Sequence, residues 1–182
     1  MNSKGWTIVE ILVTIAIIGI ISTIGFASTQ TFSSEQKIDD GVNKLQSFIR
    51  VAQANATSSL KCGSSLSYSW SVVFSSDRVN IDLNCKTSSS ASDTLVKTLT
   101  LPTNISVDSI TVDGGPGCNI SFPTTITYGV LTGAVTYSDP GLSASCGAST
   151  NNMVATLLFS GSETTISKTI TISKGGGIDA QQ

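Results

Sequence analysis

Apolar positions along this chain follow three successive rhythms. From Ile11 to Ala27 no residue is charged, and extending back to Trp6 and on to Thr31 adds one charge, Glu10. A helix of about 20 such residues spans a bilayer core of roughly 30 Å. Next, Ile38, Val42, Leu45, Ile49, Ala52, Ala56 and Leu60 recur at steps of three and four, with Glu35, Asp39, Asp40, Lys44, Arg50 and Gln53 on the other faces. This is an amphipathic helical stripe. Ser33 or Ser34 can cap its start, and Cys62-Gly63 ends it. With no proline before Pro102, one helix from about Trp6 to Leu60 is expected, roughly 80 Å long at 1.5 Å per residue. The stripe is too short, and its a/d spacing drifts too far, for an independent coiled coil.

Beyond Cys62 the period drops to two. Tyr68, Trp70, Val72 and Phe74 alternate with serines, and after the turn Ser75-Ser76-Asp77 so do Val79, Ile81 and Leu83 with polar residues. That pattern predicts a hairpin. Further strands are predicted at Leu95–Leu101, Ile105–Val112, Ile120–Phe122, Ile126–Leu131, Val135–Tyr137 and Met153–Phe159, then a last pair at Thr164–Ile166 and Thr169–Ile172. Lys86–Asp93, Asp113–Gly117 and Asp139–Asn152 are loops rich in Ser, Gly or Asn. The expected organisation is a membrane or filament-core helix over 6–31 and a head over 32–182. Within the head lie an amphipathic helix (32–61), a β-rich part (62–173) and a flexible tail (174–182). No internal repeat is present.

Glu10 is the informative exception. A carboxylate inside an apolar stretch is disfavoured, by about 2.5–3.5 kcal/mol at a helix centre and less near its end. A signal peptide cut near Gly25-Phe26-Ala27 and a plain anchor are both compatible with the apolar run, but neither accounts for Glu10. Lys4 and the initiator amine favour a cytoplasmic N-terminus.

The stretch Lys4-Gly5-Trp6-Thr7-Ile8-Val9-Glu10-Ile11-Leu12-Val13 resembles the cleavage and methylation motif of type IV pilins and type II secretion pseudopilins. The resemblance implies a leader of residues 1–5, cleavage between Gly5 and Trp6 by prepilin peptidase, and N-methylation of Trp6. It makes Glu10 the assembly residue, counter-charge to a processed amine on a neighbouring subunit. Two unit charges 4 Å apart attract by about 4 kcal/mol at an effective dielectric of 20, enough in magnitude to offset burying the carboxylate. Lys44–Ala56, the ending Lys168–Ile178, and the earlier Ile120-Ser121-Phe122 and Gly129 are similar to the pseudopilin H/FimT-like group. The fold implied is α+β, pilin-like: a long N-terminal hydrophobic α-helix packed on an antiparallel β-sheet head. The role implied is a minor pilin or pseudopilin subunit of a type II secretion or type IV pilus-like machine. Its partners would be the peptidase/methyltransferase, other pilin subunits, an inner-membrane assembly platform and membrane lipid. The localisation implied is single-pass in the bacterial inner membrane, with the head periplasmic or extracellular.

Composition narrows the chemistry. The chain has no histidine, which excludes His-containing triads and HExxH zinc sites, and only 12% of its residues are charged. No cofactor or metal is expected. Cys62, Cys85, Cys118 and Cys146 lack any CxxC spacing, and an extracytoplasmic head favours disulfides. Of three connectivities, Cys62–Cys85 with Cys118–Cys146 closes loops between neighbouring elements; free buried thiols are the alternative. Ser58-Ser59-Leu60-Lys61 fits S-x-x-K, but among 30 serines such matches arise by chance and no SDN or KTG accompanies it. No enzyme is expected. Asp108, Asp113 and Asp139 form no calcium loop, and Asn104-Ile105-Ser106 and Asn119-Ile120-Ser121 are sequons common in so polar a chain.

The alternative function is a DNA-capturing or adhesive tip module. Some FimT-like proteins are thought to hold DNA through arginines in the C-terminal tail. The matching tail here, Lys174–Asp179, has one lysine and no arginine, and from Leu101 onward two lysines face five acidic residues. That charge repels phosphate and argues against DNA. The glycines Gly175–Gly177 offer, at most, an amide nest for an anion.

Overall fold

In the computed structural model, residues 7–112, 119–138, 153–160, 165–173 and 175–181 are described. The first element is α1 (Ile8–Thr57, 50 residues). Thr7 caps it with extended backbone, its hydroxyl accepting from the Glu10 amide. The other end closes as a Schellman turn. Ser59 takes φ 51°, the Ser59 amide donates to Ala56 O and the Leu60 amide to Asn55 O. Leu60 therefore lies past the helix and is half exposed, whereas Phe48 joins the buried stripe of Ile38, Val42, Leu45, Ile49, Ala52 and Ala56. Ser33 and Ser34 lie inside the helix and start nothing.

Among the described residues ten strands follow: β1 (Ser69–Phe74), β2 (Asn80–Lys86), β3 (Thr94–Thr100), β4 (Ile105–Val112), β5 (Asn119–Ile120), β6 (Thr124–Gly129), β7 (Val135–Ser138), β8 (Met153–Ser160), β9 (Thr165–Ile172) and β10 (Ile178–Gln181). They build two antiparallel five-stranded sheets, ordered β3-β2-β1-β6-β7 and β10-β9-β8-β4-β5. In the first, Trp70, Val72 and Phe74 stand opposite Tyr128, Ile126 and Thr124, so one face carries the large side chains inward. The second is centred on β8, paired with both β4 and β9. A backbone bond from Val107 N to Arg78 O (2.9 Å) ties the sheets together, while Leu101 N to Val79 O (3.0 Å) extends the pairing of β2 with β3. A single core cluster joins α1 to both. At Gly41 α1 packs close to β4: a Cβ there would meet the Ile105 side chain at 3.3 Å.

The expected fold class is corrected. The chain beyond Ser69 is antiparallel structure in two sheets rather than one, and the N-terminal helix is not hydrophobic throughout. Among the described residues no helix is long and apolar enough to cross a membrane. From Ser33 onward α1 is amphipathic, one face turned to the head and the other to solvent.

Two smaller expectations also change. Thr165–Ile166 and Thr169–Ile172 belong to one strand, because Lys168 does not break β9 but reaches across to an ion pair with Asp39 of α1; Thr164 lies outside the described residues. The tail is not free. From Ile178 it pairs with β9, Ile178 opposite Ile172 and Ala180 opposite Ile170.

Candidate functional site

The segment of α1 ahead of the head stands out from everything else in the fold. Ile8, Val9, Ile11, Leu12, Val13, Ile15, Ile17, Ile18, Ile20 and Ile21 are each between 46% and 83% exposed. Large exposed apolar surfaces mark protein or membrane contacts. The polar side chains in the segment are already satisfied. Thr14 Oγ1 donates to Ile11 O (2.8 Å) and Ser22 Oγ to Ile18 O (2.7 Å), so neither hydroxyl needs water. Side chains this large each gain about 1.5–3 kcal/mol on full burial, so the segment holds a gross driving force on the order of 10–20 kcal/mol for packing against apolar partners.

Glu10 is the one charged side chain between Thr7 and Ser22, and it is exposed. It lies in the first turn of α1, three residues after the cap. The helix dipole favours a negative charge there by about 0.3–1 kcal/mol. The Thr7-Ile8-Val9-Glu10 spacing is the T-x-x-E of a capping box, a signal present in the sequence but overlooked beside the apolar run. Glu10 thus has a local reason to sit where it does and still presents its carboxylate outward. Gly5 and Trp6, the cleavage and methylation candidates, lie outside the described residues.

The other expected site residues are scattered over the head. Cys62 and Cys85 are bonded, Cα–Cα 5.8 Å, fastening the loop after α1 to β2, where Trp70 Nε1 also donates to Leu60 O (3.3 Å). Among the described residues no cysteine is free, and Cys118 and Cys146 lie outside them. Ser58 Oγ donates to Ala54 O (2.7 Å), closing the helix end. Asp108 sits at a register shift in β4, while Asp113 and Asp139 are outside the described residues. Asn104 has φ 68° in the turn before β4.

The glycine tail is spent on structure. Gly176 N donates to Ser173 O (2.8 Å) and Ser173 N to Gly177 O (2.7 Å), a turn that uses the Gly176 amide an anion nest would need. Gln46 Nε2 and Arg50 Nη2 both donate to Ile178 O, at 3.3 and 3.4 Å, holding β10 against α1. The arginine nearest the tail therefore clasps it. No family model, curated protein or solved structure matches this chain.

Proposed function

We propose that the chain is a structural subunit of a pilin-like assembly, a minor pilin or pseudopilin of a type II secretion or type IV pilus-like machine. Its apolar N-terminal segment packs among the same segments of other subunits. The observation that carries this is the exposed, internally satisfied apolar surface from Ile8 to Ile21, interrupted by the single outward carboxylate of Glu10. A surface of that kind invites burial, and the lone anion selects a partner that brings a cation. The cation is the amino terminus freed between Gly5 and Trp6 on the neighbouring subunit and then methylated. Prepilin peptidase/methyltransferase and an inner-membrane assembly platform are the partners that follow. Before assembly, the same segment keeps the chain at the bacterial inner membrane with the head outside the cytoplasm.

Glu10→Ala and Glu10→Gln test the charge pairing. Both are expected to leave membrane association intact and to reduce co-purification with the other subunits about tenfold or more, since one lost charge pair in a poorly solvated site is worth over a kcal/mol. Normal incorporation of Glu10→Gln would remove the basis for the pairing.

A further inference from the structure

A cleft of about 470 Å³ opens where the two sheets meet, lined by Ser76 and Arg78 of the β1–β2 turn, Asp108 and Ser109 of β4, and Ile120 and Phe122. It is independent of the apolar segment. Its centre is Arg78, whose placement is fixed from several directions. The Arg78 backbone has φ 61°, unusual for a residue with a side chain. Its amide donates to Ser75 O (3.0 Å) and its carbonyl accepts from Val107 N (2.9 Å). The guanidinium lies 5.0 Å from the centroid of the Phe122 ring and donates through Nη1 to Asp108 O (3.1 Å). Stacking on an aromatic face and a carbonyl bond hold the planar fork still.

Arg78 meets the carbonyl of Asp108, not its carboxylate. Asp108 is exposed on β4 beside the register shift between Val107 and Ser109, and it lines the cleft together with Arg78. Ser76, Ser109, Ser121, Ile120 and Phe122 complete the lining. The guanidinium carries five N–H donors, and Nη1 serves the Asp108 carbonyl. A ligand suited to this lining carries one carboxylate for the fork, several hydroxyls for Asp108 and the serines, and a weakly apolar ring face. A polyanion does not suit it, because Asp108 and the net charge of −2 oppose a second negative group.

We propose that this cleft binds a singly charged sugar carboxylate, a uronate. Its carboxylate sits on Arg78, and its ring hydroxyls on Asp108, Ser76 and Ser109. The test uses the full chain in non-ionic detergent, titrated with glucuronate and followed by NMR of the backbone amides. Saturable shifts at Ser76, Arg78, Asp108 and Ser109 are expected, with Kd on the order of 1 mM. Glucose, which lacks the carboxylate, and acetate, which lacks the hydroxyls, are each expected to bind about tenfold more weakly. Arg78→Lys keeps the charge and loses the fork, and is expected to weaken glucuronate about tenfold. Asp108→Asn is expected to weaken it without changing Tm, which separates binding from the backbone clasp between the sheets. Absence of saturable shifts with glucuronate overturns the proposal, and so does acetate binding equal to glucuronate, the mark of an adventitious ion only.

Discussion

Gly176 is the position where the seated tail can be tested most sharply. It is buried, has φ +85°, and a Cβ added there would lie 2.1 Å from Gln53 Nε2, 3.0 Å from Gln53 Cδ and 3.3 Å from Gly133 O. Gly176→Ala therefore carries two costs. A left-handed backbone at alanine is disfavoured by about 1–2 kcal/mol. Moving the Gln53 amide out of its half-buried place adds about 1 kcal/mol, the worth of an ordinary polar contact and its packing. The sum is about 2–3 kcal/mol, which for a chain of this size lowers Tm by roughly 5–10 °C. Thermal unfolding of the full chain in non-ionic detergent, followed by near-ultraviolet circular dichroism, reads the shift. Gln53→Ala in the Gly176→Ala background is expected to restore about 1 kcal/mol, since the clash goes and only the backbone cost remains. If Gly176→Ala leaves Tm unchanged, or Gln53→Ala restores nothing, the tail does not pack on α1 and the account of the C-terminus is wrong.

Other perturbations probe the head at separate places. Cys62→Ala with Cys85→Ala releases a crosslink across 23 residues, and is expected to cost about 3 kcal/mol by freeing the unfolded chain, read as a lower urea midpoint. An unchanged midpoint would mean that this bridge constrains nothing. Asp77 accepts from the backbone amides of Asn80 and Val79, each at 3.0 Å, and these bonds, Asn80 first, hold its pKa below the ordinary carboxylate value of 3.8. Because the folded value is the lower one, the turn is fully supported above pH 3.8 and loses that support as pH falls through the depressed value. Amide exchange at Val79 and Asn80 should accelerate over that acid range in the native chain and show no such dependence in Asp77→Asn.

Much of this architecture is written locally in the chain. The stripe from Ile38 to Ala56 is buried at every step because side chains three and four apart share one helix face. The alternation in β1 and β2 places Trp70, Val72, Ile81 and Leu83 inside, as period two requires. What alternation does not encode is the partner. That β1 takes β6, and β4 takes β8, joins residues far apart in sequence, so the division into two sheets was not legible and one sheet was expected. Leu60 fits the helical spacing, yet the Schellman turn at Ser58 and Ser59 stops the helix first, and neither residue is the glycine that usually announces such a stop. The run Lys174–Gly177 reads as a loose end because glycine carries no side chain to pack. Here the missing side chain is the reason it fits, since Gly176 must lie close beneath Gln53. The Thr7 cap was legible and overlooked. The Arg78 cleft was not, because its lining comes from three separate segments that only the folded chain brings together.

If the apolar segment belongs to an assembling subunit, a processed amine answers Glu10. Intact-mass spectrometry of the protein taken from native membranes addresses it most directly. The expected chain begins at Trp6 and carries one added methyl group. A chain that still retains Met1–Gly5, or one cut after Ala27, would contradict it.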